Sequence, residues 1–227
     1  MKLSVVMPVF NEEKTIKEIV ERVQAVNIDK EIIIIDDGST DKTRDVLNGL
    51  KGDNIKILFH DKNSGKGMAL KTGFSRASGD IVIIQDADLE YNPEEYPRLI
   101  EPIVKGHADV VYGSRLSGGM PQRVYMFWHK AGNSFLSLLT GILYNTTLTD
   151  METGYKVFKR GVLGNMDIKS RDFTVEAEIT AKVFKKRYRV YEVPISYYGR
   201  DYSEGKKIRW WHGISAVWAL IKYKYTD

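Results

Sequence analysis

The chain has 227 residues, 43% of them hydrophobic, enough for a substantial core in one large domain or two small ones. Its 34 basic and 30 acidic side chains leave a net charge of +4, too balanced to argue for a nucleic-acid partner, but suited to anionic small molecules or an anionic membrane surface. There is no cysteine, which excludes disulfides, thiolate metal sites and a thiol nucleophile.

Residues 3–7 form a short apolar run that Pro8 should stop, so a strand is expected there. Asn11 is placed to cap a helix carrying Glu12 and Glu13 in its first turn. Ile16, Ile19, Val20 and Val23 then recur at helical spacing. Residues 31–35 are a near-continuous isoleucine run, the mark of a strand buried on both faces, and they end in Asp36-Asp37-Gly38-Ser39. A helix over 41–50, a strand over 55–59 and a helix over 66–77 follow, the last ended by Ser78-Gly79. The strand at 81–84 runs into Gln85-Asp86-Ala87-Asp88. The next helix starts near Asn92-Pro93 with Glu94 and Glu95 in its first turn, and Pro102 should kink or shorten it. Residues 109–112 give a fifth strand.

Strand–helix alternation at this spacing implies βαβ units and an α/β fold with a mainly parallel sheet. Ligands of such sheets bind beyond the carboxyl ends of the strands. Four polar clusters fall there: Asn11-Glu12, Asp36-Asp37, Asp86 with Asp88, and Ser114-Arg115. After Arg115 the pattern changes. A loop at Gly118, Gly119 and Pro121 precedes an apolar helix over 125–144, a strand over 154–158 and a helix over 174–186. Residues 189–198 read as a strand that Pro194 confines to an edge. A polar loop over 200–207, expected to be mobile, leads to a last amphipathic helix over 210–223. No window reaches the roughly 20 apolar residues of a membrane span, and the N-terminal apolar stretch is too short for a signal peptide.

Asp86-Ala87-Asp88 carries the most chemistry. On extended backbone, carboxylates at i and i+2 point to one side. Such a pair suits Mg²⁺ or Mn²⁺, which join carboxylates to substrate phosphates and neutralise a diphosphate leaving group; Glu90, two residues on, would add a third oxygen. Asp36 and Asp37 are placed to receive nucleotide hydroxyl or N–H groups, and Asp37 or Ser39 to cap the next helix. The first turn, Pro8-Val9-Phe10-Asn11-Glu12-Glu13, has no glycine, which argues against a dinucleotide-binding turn. There is no P-loop. Asn63-Ser64-Gly65-Lys66-Gly67 opens a helix and either approaches a phosphate or nucleobase or is a plain loop-to-helix turn. Arg115, Arg123, Arg200, Lys206, Lys207 and Arg209 cluster in the later half and are either ordinary surface charge or contacts for phosphate oxygens, which arginine forks suit. His60, His107, His129 and His212 share no ligand spacing and read as structural.

Taken together, these motifs resemble the family-two glycosyltransferases of the GT-A fold, and more narrowly the dolichol-phosphate mannose synthase group and its polyprenyl-phosphate relatives. Gly113-Ser114-Arg115, Thr153-Gly154-Tyr155-Lys156, Glu192-Val193-Pro194-Ile195, Arg200 and Glu204-Gly205-Lys206-Lys207 extend the likeness over nearly the whole chain. The resemblance implies a Rossmann-like sheet with a short antiparallel portion and C-terminal helices. It implies one domain over 1–227, with residues 1–115 binding a nucleotide sugar and 116–227 the acceptor. Pro8, Phe10, Glu12, Asp37 and Lys66 would line the nucleotide pocket, Asp86, Asp88 and Glu90 would hold the metal, and Arg115, Arg200 and Lys206 would meet phosphates. Asn11, Asp36, Gly67 and Ala87 complete the expected donor-contacting set.

The expected reaction is an inverting transfer of a hexose from a GDP- or UDP-linked donor to a polyprenyl phosphate, on the cytoplasmic side and in peripheral contact with the membrane through residues 125–144 and the tryptophan-rich last helix. A phosphate acceptor is already ionised near neutral pH and needs no strong base. A saccharide or other hydroxyl acceptor needs one, and Asp150 and Glu152 are the candidates, ahead of Glu176. A nucleotidyltransferase, a non-catalytic nucleotide-sugar-binding module and a basic nucleic-acid binder are the alternatives from other classes. The first lacks its glycine- and arginine-rich turn, and the intact Asp86, Asp88 and Arg200 argue against the second.

Overall fold

The structure is a computed structural model describing residues 1–124, 126–200 and 210–226. Seven strands form one mixed sheet in the order β3-β2-β1-β4-β6-β5-β7. They are β1 (Leu3–Val9), β2 (Lys30–Asp36), β3 (Ile55–Phe59), β4 (Ile81–Ile84), β5 (Val110–Ser114), β6 (Lys156–Lys159) and β7 (Val190–Pro194). Every pairing is parallel except those of β6, which runs antiparallel to both β4 and β5. The chain thus adopts the GT-A architecture, with its short antiparallel portion at β6.

The helices are α1 (Ile16–Ala25), α2 (Thr43–Asn48), α3 (Lys66–Arg76), α4 (Tyr96–Val104), α5 (Phe127–Tyr144), α6 (Arg160–Gly164), α7 (Val175–Lys185) and α8 (Trp210–Tyr225). Strand residues alternate between two cores, as the period of two demands. Val6, Ile33, Ile35, Val82, Ile84 and Phe158 face one core together with α3, α7 and α8. Val5, Met7, Ile32, Ile34, Ile83 and Val157 face the other with α1, α2 and α4. Burial on both faces explains the unbroken isoleucine run of β2.

Two boundaries differ from the sequence reading for identifiable reasons. Pro8 does not stop β1. The Leu3 amide and Val9 carbonyl bond toward β2, and the Val6 carbonyl bonds toward β4. By alternation the Pro8 nitrogen faces β4, whose register with β1 ends at Val6. No ladder hydrogen bond is lost there. Asn11 does not cap α1, whose N-cap is Thr15. Instead Asn11, at φ +52°, accepts from the Thr40 amide at 2.8 Å and ties the loop after β1 to the loop after β2. Asn92 does cap, accepting from the Glu94 amide at the 3-10 turn before α4. Helix α4 continues only two residues beyond Pro102, and α6 was not foreseen.

Candidate active site

A cavity of about 570 Å³ opens at the carboxyl ends of β1, β2, β4 and β5, within the usual size of a small-molecule site. Pro8, Phe10, Glu12, Asp37, Lys66, Asp86, Ala87, Asp88, Glu90, Arg115, Glu152 and Arg200 line it. Because β6 runs against its neighbours, its entry residues Glu152 and Gly154 reach the same rim from the amino end of that strand. His129, Lys130 and Asn133 of α5, and His212 of α8, also line it, although the sequence reading took both histidines as structural. Their spacing on amphipathic helices carried no signal that distinguished a cavity wall from a surface.

The floor is built to hold Asp86. The fully buried Gln85 accepts from the Tyr96 and Tyr155 hydroxyls at 2.6 and 2.8 Å. Its amide nitrogen donates to the Asp86 carbonyl at 2.9 Å. Gly154 lies so close that a Cβ there would meet Asp86 Oδ2 at 2.2 Å, so a side chain at this position would have to push the Asp86 carboxylate aside. Lys66 Nζ bridges Asp86 Oδ1 and Glu176 Oε1, each at 2.8 Å. Burial disfavours the Lys66 charge, but the two carboxylates outweigh it and hold the ammonium well above the ordinary lysine range.

Asp88 Oδ2 meets Arg200 Nη2 at 3.2 Å, and Arg200 also reaches Glu12 at 3.3 Å. Burial, with Glu90 and Asp86 adding repulsion, pushes the Asp88 carboxyl up to about 7. Asp86, Asp88 and Glu90 all line the cavity, although no group of three potential ligands is set to hold a metal ion among the described residues. Residues 87 and 88 form a turn rather than extended backbone, and Leu89 then adopts φ +63°, which breaks the side-chain alternation. Glu90 accepts from the Tyr197 hydroxyl at 2.8 Å and the Arg200 amide at 2.7 Å, and lies 3.8 Å from the Arg200 guanidinium that also meets Asp88. The donor chemistry still fits a hard divalent cation, since Asp86 and Asp88 are two crowded carboxylates now balanced by Lys66 and Arg200.

Other expected site residues hold the frame. Asp36 is fully buried, bonds Arg44 Nε at 2.7 Å and does not line the cavity. Asp37 accepts from the Ser64 and Gly65 amides and the His60 ring, fixing the glycine-rich loop. Gly67 does not line the cavity: a Cβ there would strike the Ser170 carbonyl at 2.0 Å, so its glycine answers to backbone packing. Both Asp150 oxygens accept from the Arg115 guanidinium, at 2.7 and 2.8 Å, which leaves Asp150 occupied and off the cavity wall. Glu192 in turn accepts from the Thr149 and Asp150 amides at 2.9 and 3.1 Å, setting that loop. Burial, with Glu176 nearby, pushes Glu152 up to about 7, and burial pulls Lys156 down to about 8. Lys206 lies outside the described residues, as does most of the expected loop at 200–207.

The family model described as "Glycosyl transferase family 2" matches residues 4–166, from β1 through α6. This chain belongs to glycosyl transferase family 2. It is 32% identical over 203 residues to the low-salt glycan biosynthesis hexosyltransferase of Haloferax volcanii, a match covering 88% of this chain. The chain spans about half of that relative, 48% of its length. It is 30% identical over 240 residues to the UDP-N-acetylglucosamine–dolichyl-phosphate N-acetylglucosaminyltransferase of Methanococcus voltae, covering 96% of this chain and 94% of the relative. The fold is also that of glucosyl-3-phosphoglycerate synthase from Mycobacterium tuberculosis, solved with Mn²⁺, UDP and phosphoglyceric acid. That likeness has a TM-score of 0.74 at 21% identity and covers 100% of this chain and 79% of the other. As a family 2 glycosyltransferase domain, the chain carries Asp37, Lys66, Asp86, Asp88 and Arg115 around one cavity at the rim of the sheet.

Proposed function

We propose that this chain transfers a hexose from a GDP- or UDP-linked donor to a polyprenyl phosphate. The observation that carries the reading is the cavity itself, where Asp86, Asp88 and Glu12 stand among Lys66, Arg115 and Arg200 beyond the strand ends. Such a mixture of carboxylates and cations suits a diphosphate with its divalent counter-ion. Asp86 and Asp88 would hold Mg²⁺ or Mn²⁺, which supplies charge neutralisation on the departing diphosphate. Pro8, Phe10, Glu12 and Asp37 line the nucleoside side, and Lys66, Arg115 and Arg200 orient phosphate oxygens. Lys206 is a further candidate for that task.

Two observations support a lipid phosphate as acceptor. Helix α5 sends His129, Lys130 and Asn133 to the cavity, while its Phe127, Trp128 and Phe135 are 72%, 82% and 57% exposed. A charged head would sit inside and an isoprenoid chain would follow the apolar rim. Asp150, paired on both oxygens, is unavailable as a base, and an ionised phosphate needs none. The dolichyl-phosphate substrate named for the Methanococcus voltae relative agrees with this.

The test is a panel of GDP- and UDP-sugars with Mn²⁺ and polyprenyl phosphate, reading nucleoside-diphosphate release and lipid-linked product. Turnover should fall by about 100-fold or more in Asp86→Ala and Asp88→Ala. Intact transfer in both variants, or no release with any donor, refutes the proposal.

A further inference from the structure

The chain beyond β7 carries two side chains of the cavity wall, Tyr197 and Arg200. Bonds along both of its sides hold it in place. On one side the Ile195 and Tyr197 amides donate to the Ser114 and Pro121 carbonyls at 3.0 and 3.1 Å, extending the pairing of β7 with β5. On the other side no strand follows, because β7 is an edge of the sheet. There the partners come from α4 and the turns before it. Arg98 Nη2 donates to the Pro194 carbonyl, and the Ser196 amide donates to Glu95 Oε1 at 3.0 Å. The Tyr198 amide then meets the Glu90 carbonyl at 3.0 Å, and the Arg200 amide meets Glu90 Oε1 at 2.7 Å.

Glu95 does not line the cavity, and no step of the reading above uses it. A glutamate in the first turn of a helix ordinarily stays in water, as its neighbour Glu94 does, yet Glu95 is 8% exposed. Ser196 is 2% exposed, so water cannot replace Glu95 as the acceptor of its amide. A buried N–H left without an acceptor is costly, and the segment would relieve it by shifting outward. Arg200, four residues on, has little slack: its contacts to Asp88 and Glu12 are 3.2 and 3.3 Å, already at the outer limit of a hydrogen bond.

We infer that Glu95, assisted by Arg98, is a positioning residue for Arg200: by gripping the outer edge of residues 194–196 it fixes the guanidinium beside Asp88 and Glu12, where it meets the donor's diphosphate. The task is that of an acceptor rather than of a charge. Burial pushes the Glu95 carboxyl above its ordinary value, against the Ser196 amide and Arg98. Its Oε2 has no hydrogen-bond partner, and its contact with Arg98, at 3.5 Å, is made by Oε1. A glutamine whose amide nitrogen replaces Oε2 therefore keeps the bond to Ser196.

The inference rests on the nucleotide-sugar reading, in which Arg200 orients phosphate oxygens. Calorimetry of UDP and GDP with Mn²⁺, on variants whose melting curves show them folded, tests both. Arg200→Ala should weaken the nucleoside diphosphate that binds by about tenfold or more, the worth of one charge-assisted contact. Glu95→Ala should weaken it by about fivefold or more, and Glu95→Gln should stay within about threefold of the wild type. In the Arg200→Ala background, Glu95→Ala should cost less than about twofold, because the group it positions is gone. If Glu95→Ala does not fold, Arg98→Leu runs the same cycle, with about threefold or more expected alone and less than about twofold beside Arg200→Ala. Wild-type affinity in the folded Glu95 or Arg98 variant overturns the inference. So does an equal loss in both backgrounds, which is what a role in stability alone predicts, or a glutamine no better than alanine. Wild-type affinity in Arg200→Ala also overturns it, while leaving the nucleotide site standing. If the wild type binds neither UDP nor GDP, the nucleotide-sugar reading itself falls.

Discussion

Leu89 occupies the left-handed region at φ +63°, a conformation that costs a leucine about 1 kcal/mol. At that turn Glu90 accepts from the Tyr197 hydroxyl while its charge still bears on Asp88, and no pattern of residue types announced the turn. The opposite end of the sheet carries a different buried acid. Glu31 accepts at 2.7 Å from Ser4 Oγ, the Ser78 amide, Ser78 Oγ and Lys56 Nζ. Burial raises its pKa, but these donors outweigh burial and pull the carboxyl down to about 2 from 4.5. A depressed carboxyl stabilises the fold fully above its unfolded value and loses that contribution as pH falls through its folded value. The wild type should thus shed stability between about pH 4.5 and 2. Glu31→Gln should cost about 2 kcal/mol at pH 7 and show a flatter decline across that window. Urea unfolding of both proteins at several pH values checks this, and parallel declines would sink it.

At the scale of elements, the strands were the most legible. The spans at 55–59 and 81–84 coincide with β3 and β4, because short apolar runs between turn residues leave little choice. The antiparallel direction of β6 could not be read from its four residues, since direction depends on the connection rather than on the side chains. Helix α5 shows the same limit. Its apolar character was plain, but only Leu136, Ser137 and Thr140 are buried. Leu138 and Ile142 on α5, and Ile214 and Trp218 on the packed neighbour α8, are 63%, 72%, 63% and 67% exposed. None of the described helices is long and apolar enough to cross a membrane, so an open apolar face of this kind suits the interfacial zone. Phosphatidylglycerol-containing vesicles at low salt should sediment the wild-type protein. A Phe127→Ser, Trp128→Ser double variant should weaken that binding by about tenfold or more, from the apolar area it withdraws. Full retention by the variant, or no wild-type binding, removes the membrane contact from the proposal.

The whole molecule is bound together by where β6 sits. The sequence suggested a division near Arg115, with a donor half before it and an acceptor half after. Yet β6, from the second half, lies between β4 and β5 of the first, and β7 covers the outer side of β5. Without β6, Ile81, Val82 and Ile83 would lose their partner along one edge, and β5 would have no path into the sheet. Two halves sharing strands in this way should unfold together. All four tryptophans, Trp128, Trp210, Trp211 and Trp218, belong to the second half. Their fluorescence reports that half, whereas far-UV circular dichroism reports helices and strands of both. The two signals should trace one coincident urea transition. Phe158, fully buried on β6 with its ring edge-on to Phe74 at 6.1 Å, offers the lever. Phe158→Ala should cost about 3–5 kcal/mol and move both curves together. If the fluorescence midpoint shifted while circular dichroism kept a second transition at the wild-type midpoint, the halves would be independent. The rim that joins Asp86 to Glu152 would then require a different cause.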